Sequence, residues 1–136
     1  MLFRSLPEVI RDINKYSNNV MAQQLFLTLS LQTKVAAAQG AASALVPATL
    51  VASREVVQRW WRNTIGPDDV PLLDNGSGLS RQERITAQGL ARLLQSAYAS
   101  PVMPELMSSL PITGVDGTLR RSRSKAQGSE IGRAHV

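Results

Sequence analysis

The stretch Lys15-Tyr16-Ser17-Asn18-Asn19 divides the apolar-periodic start of this chain. Before it, Leu6, Val9, Ile10 and Ile13 fall at i, i+3, i+4 and i+7, the spacing of one helix face. After it, Met21, Ala22, Leu25, Phe26 and Leu29 repeat the pattern. Residues 17–19 therefore form a short polar junction between two helices. Ser17 or Asn18 can simply cap the second helix by accepting a backbone N–H. A hydroxyl and an amide on rigid flanks can equally face a cleft, and spacing alone leaves both readings open.

The first helix has a start signal. Ser5-Leu6-Pro7-Glu8 carries a capping-box pattern, with Pro7 in the tolerant first turn. This helix should run to about Tyr16. The second should run from about Asn19 to Ser30 or Leu31. Apolar residues nearly surround it, which predicts burial. Residues 32–47 are small and Ala-rich, punctuated by Gly40 and Pro47, and read as a loop with a helical turn. They lack the large apolar residues of a membrane-active segment.

A third helix should be capped by Ser53 and carry Val56, Val57, Trp60, Trp61 and Ile65 to the stop at Gly66-Pro67. Adjacent residues on a helix diverge by about 100°, so of Trp60 and Trp61 one should enter the core and one lie partly at the surface. Val70-Pro71-Leu72-Leu73 is a short extended run leading into Asp74-Asn75-Gly76-Ser77-Gly78. The Gly-x-Ser-x-Gly spacing of a nucleophile elbow is absent around Ser77, and no Lys-Ser or Lys-Thr follows to make a phosphate loop. Residues 74–80 thus read as a tight turn, with Asp74 and Ser80 bonding the backbone. A fourth helix should start near Thr86 with Leu90, Leu93, Leu94, Ala97 and Tyr98 on one face. A short one from Pro104 to Leu110 should be stopped by Pro111. A turn over Gly114-Val115-Asp116-Gly117-Thr118 follows.

A chain of 136 residues suits one domain. Only 4% of it is aromatic, so its core must come from Leu, Val, Ala and Met. It has no cysteine, which excludes a disulfide framework, thiolate chemistry and a Cys-based metal site. No apolar run is long enough to span a bilayer. Met1-Leu2-Phe3-Arg4 lacks the regions of a signal peptide, which by itself reads as cytosolic. Of the net charge of +5, residues 120–136 supply +4, through four arginines and Lys125 against Glu130. The basicity is a tail property without interleaved aromatics, so base stacking is not indicated. The tail reads as a solvated, flexible segment.

Three blocks point further. Asn14-Lys15-Tyr16-Ser17-Asn18-Asn19-Val20-Met21-Ala22 resembles the Ser-x-Asn motif of the serine penicillin-binding enzymes. Leu73-Asp74-Asn75-Gly76-Ser77-Gly78-Leu79-Ser80-Arg81 and the run from Ser109 to Leu119 resemble blocks of one branch, the D-alanyl-D-alanine carboxypeptidase/endopeptidases. They stand in that family's order and cover about residues 6–121. The resemblance implies a partial transpeptidase-like domain over 1–121, followed by a basic tail over 122–136. The piece should be mainly α, the helical side of an α/β β-lactamase/transpeptidase-like domain. By motif position Ser17 would shuttle a proton to the leaving amine, and Asn19 would hold the substrate's peptide carbonyl. Lys15 stands outside the motif and reads as a surface charge. The 74–80 block should lie near the active-site cleft, with no chemical step assigned to it.

The resemblance also implies peptidoglycan stem peptides as substrates, β-lactams as inhibitors and a periplasmic parent with its signal peptide upstream; no cofactor, metal or nucleic acid is expected. The family's other two motifs are missing. Ser122-Arg123-Ser124-Lys125 formally matches Ser-x-x-Lys, but it follows the Ser-x-Asn element instead of preceding it and reads as coincidence. Lys-Thr-Gly occurs nowhere. The expectation is an internal piece of a longer enzyme, inactive alone. Ile131-Gly132-Arg133-Ala134-His135-Val136 resembles read-through of a sequencing adapter, the competing reading being the natural approach to a Lys-Thr-Gly strand, and His135 has no Asp or Ser arranged around it. Without the resemblance, the amphipathic stripes would permit a small helical interaction module, and the tail a nucleic-acid binder.

Overall fold

The computed structural model describes residues 4–37 and 47–121, with the side chains of 32–37 left out. The expectations for residues 38–46, the tail from Ser122, the Ser122–Lys125 match and the adapter-like end fall outside these residues. Among the described residues five helices are formed: α1 (Leu6–Tyr16), α2 (Asn19–Ala37), α3 (Leu50–Thr64), α4 (Ala87–Tyr98) and α5 (Met103–Ser109). A 3-10 turn, Gly117–Leu119, follows. Among the described residues the only β-type pairing is one antiparallel bridge between Leu72 and Arg84. The mainly helical expectation is met.

The chain divides into two compact units. One holds residues up to Asn18 together with those from Ala99 onward; the other is Asn19–Tyr98. In the first, α1 packs on α5 and on the 3-10 turn. The Ser5 N–H and hydroxyl both donate to the Glu8 carboxylate, at 2.7 and 2.9 Å, so the predicted box does start α1. Ile13 is the buried residue of its apolar stripe.

In the second unit, α2 packs on α3. Two expectations for α2 fail. It runs six residues past Leu31, because Gln32 to Ala37 contains no residue that breaks a helix and ends in alanines that favour one. It is also not buried all round: Phe26 and Ser30 are buried, while Val20 and Leu31 are exposed. One neighbouring helix covers one stripe only, whatever the composition of the other faces.

Ser53 does not cap α3. Thr49 does, its Oγ1 accepting the Ala52 N–H at 3.2 Å. Ser53 lies one turn in, fully buried, with its hydroxyl directed at the Leu27 carbonyl 3.4 Å away on α2. A small hydroxyl residue suits such a close helix–helix contact. Trp61 is 2% exposed and donates its indole N–H to the Asp68 carbonyl at 3.1 Å, whereas Trp60 is 45% exposed. The adjacent tryptophans divide as predicted. Gly66 takes φ +137 and donates to the Trp61 carbonyl, closing α3. Thr86 starts α4, its hydroxyl oxygen accepting the Gly89 N–H at 2.9 Å while its O–H donates to Asp69.

Candidate active site

The helical path does break at the polar junction: α1 ends at Tyr16 and α2 begins at Asn19. Ser17 is the closing residue of α1, with φ 51 and ψ 51. Its own N–H and that of Asn18 both donate to the Ile13 carbonyl, a left-handed helix close. Serine takes this conformation rarely, glycine being the usual choice, and such residues concentrate at functional sites. Ser17 is exposed and Asn19 half-buried. The boundary between the two units falls between Asn18 and Asn19.

Within the second unit, Asn19 opens onto a groove of about 300 Å³ that it shares with Val20, Gln23, Asn75, Ser77, Leu79 and Ser80. The first turn of α2 and the 74–80 block thus meet at one surface. Their polar side chains there are uncharged amides and hydroxyls, able to both donate and accept.

The 74–80 block is built from its own side chains. Asn75 Oδ1 accepts the Ser77 N–H at 2.9 Å, Ser77 Oγ that of Leu79 at 3.2 Å, and Ser80 Oγ that of Gln82 at 3.1 Å. Ser80 bonds the backbone as expected, but the Asp74 side chain does not take that role: its Oδ2 accepts from the Asn75 amide at 3.3 Å. The anchoring carboxylate is Glu83, whose Oε1 accepts the N–H groups of Asp74 and Gly76 at 3.2 and 3.4 Å. The position is set by the Leu72–Arg84 bridge, which folds 83 back against 74. No motif singled out Glu83.

Lys15 is no surface charge. Its side chain is only 12% exposed, and its ammonium is paired with Asp116 and donates to the Leu110 carbonyl at 2.7 Å. The cation, helped by the Ile112 N–H, holds the Asp116 carboxyl below the usual range. Among the described residues no three His, Cys, Asp or Glu side chains are grouped to hold a metal ion, and no helix is long and apolar enough to cross a membrane.

The helical scaffold matches part of a penicillin-binding protein of known structure. The crystal structure of penicillin-binding protein 4 from Haemophilus influenzae, in complex with a β-lactam, superposes with a TM-score of 0.67 at 25% identity. The match covers 85% of this chain and 24% of that one, so the chain spans about a quarter of its structural relative. Within that class the chain belongs to the D-Ala-D-Ala carboxypeptidase 3 (S13) family, whose model matches residues 4–133. No curated protein sequence matches it.

Proposed function

We propose that this chain supplies the Ser-x-Asn element of a serine-type D-Ala-D-Ala carboxypeptidase/endopeptidase acting on peptidoglycan stem peptides in the periplasm. The observation that carries the reading is the Asn19 groove, where the motif amide and the 74–80 block face one cavity with uncharged donors and acceptors. A peptide backbone, itself uncharged and alternating N–H and C=O, is the ligand such a lining suits.

In the proposed reaction a nucleophilic serine attacks the carbonyl of the penultimate D-Ala and forms an ester, and the C–N bond to the terminal D-Ala breaks. The departing amine needs a proton. Ser17 passes it, relaying the one the nucleophile gave up. Asn19 holds the carbonyl of the bound peptide. Water then cleaves the ester. β-Lactams would inhibit by acylating the same nucleophile. This chain has Ser17 and Asn19 but neither Lys-Thr-Gly nor a Ser-x-x-Lys ahead of them, so alone it should not turn over.

Release of D-Ala from a stem-peptide mimic tests this in a carboxypeptidase carrying this region. Ser17→Ala should lower kcat on the order of 10²–10⁴-fold. Asn19→Ala should raise KM as well as lower kcat. Unchanged kinetics for both variants would remove the site assignment.

A further inference from the structure

The segment from Ser109 to Gly117 holds the last turn of α1 at successive points immediately before Ser17. Asn14 Nδ2 donates to the hydroxyl of fully buried Ser109 at 2.8 Å. Lys15 Nζ bonds the Leu110 carbonyl and pairs with Asp116. The Lys15 carbonyl oxygen lies where a Cβ on Gly117 would approach to 2.3 Å, and Gly117 has φ +55, so no side chain fits there. Asp116 is itself fixed, because its Oδ1 accepts the Ile112 N–H at 2.7 Å.

A largely buried ammonium is a weak source of net stability, since desolvation offsets much of the attraction. What such a pair does supply is a fixed geometry. Two residues on, Ser17 holds the left-handed conformation that a serine takes rarely and at a cost its surroundings must offset. We propose that Lys15 and Asp116 are a positioning pair: by locking the end of α1 onto the 109–117 segment they hold Ser17 in its left-handed setting. The backbone that carries the hydroxyl is thereby set before substrate arrives. The catalytic consequence rests on the reading of Ser17 as proton shuttle; the conformational one does not.

The test has two arms. In the 136-residue chain, NMR would follow the Ser17 HN–Hα coupling and Cα/Cβ shifts, which mark φ, and the exchange of the Asn18 amide bonded to Ile13. Lys15→Met and Asp116→Asn should each erase the left-handed signature and speed Asn18 exchange by about tenfold or more. The near-isosteric Asp116→Asn keeps an acceptor for Ile112, so it serves if Lys15→Met fails to fold. Glu8→Gln, which loosens only the far end of α1, should leave Ser17 unchanged. A left-handed Ser17 in folded Lys15→Met or Asp116→Asn overturns the proposal.

In a carboxypeptidase carrying this region, Asp116→Asn should lower kcat about tenfold at constant KM. It should add little once Ser17 is already alanine, a non-additivity that a general loss of stability would not produce. If Ser17 loses its conformation and kcat does not change, the shuttle role falls while the positioning pair stands.

Discussion

Gly76 lies directly against Phe26: a Cβ built on Gly76 would come within 2.5 Å of the Phe26 Cβ and 2.6 Å of its Cγ. Phe26 is buried on α2, so the contact seats the 74–80 block on the helix that begins with Asn19. A residue without a side chain lets the loop come this close to α2, one position from Asn75 and Ser77, which line the groove beside Asn19.

Gly76→Ala should therefore be costly, combining strain at φ +71 with an overlap that a buried ring cannot relieve. We expect a loss of about 2–4 kcal/mol in chemical denaturation. Gly78 has a similar φ of +74 but open space around it, so Gly78→Ala should show the backbone cost alone, about 1–2 kcal/mol. Equal losses would mean that the Phe26 contact contributes nothing.

The two tryptophans should separate in the same assay. Trp61→Ala removes a 2%-exposed ring and leaves the Asp68 carbonyl without its donor, for an expected loss of about 3–5 kcal/mol. Trp60→Ala, at a half-exposed ring, should cost about 1 kcal/mol or less. A reversed order in urea melts would contradict the packing of α3.

Acid should loosen the first unit through two carboxylates. Glu8 is held below its usual range by bonds from the Ser5 N–H and hydroxyl, and Asp116 by Lys15 and the Ile112 N–H. A depressed folded-state value means that the unfolded chain takes up the proton first as pH falls. Both contributions are then complete above the ordinary carboxylate range of about 4 and are lost as pH drops through the lower folded-state values. Stability measured between neutral and strongly acidic pH should fall on the acid side. Glu8→Gln and Asp116→Asn should each flatten that fall, and an unchanged slope in both would exclude these groups as its source.

Much of this was legible because it is local. The Ser5/Glu8 box, the stop at Gly66-Pro67, the Thr86 start and the division of Trp60 from Trp61 depend on spacing within one or two turns. What was not legible depended on partners distant in sequence. Ser53 carries a cap residue's chemistry, and only the approach of Leu27 shows that it belongs inside a helix contact. Lys15 read as a surface charge because Asp116 stands 101 residues away. Glu83 went unnoticed because its role exists only once Leu72 and Arg84 pair. The assignment of Ser17 and Asn19 rests on resemblance; the left-handed turn at Ser17 and the groove at Asn19 are what structure adds.

The last prediction concerns the chain by itself. Incubated with a fluorescent penicillin and run on a denaturing gel, the 136-residue chain should show no labelled band. A covalent adduct requires an activated hydroxyl and donors for the developing oxyanion. Ser17 is preceded by Lys15, but that ammonium is paired with Asp116 and bonded to the Leu110 carbonyl, so it is engaged as a structural cation and not as a base. Lys-Thr-Gly, the family's contribution to the oxyanion environment, is absent from the sequence. In serine proteases stripped of their triad, residual activity comes from binding and the oxyanion hole, and the motif tied to that second source does not occur in this sequence. A band lost on Ser122→Ala would make Ser122-Arg123-Ser124-Lys125 a working nucleophile motif. A band lost only on Ser17→Ala would make Ser17 the nucleophile and overturn its role as shuttle.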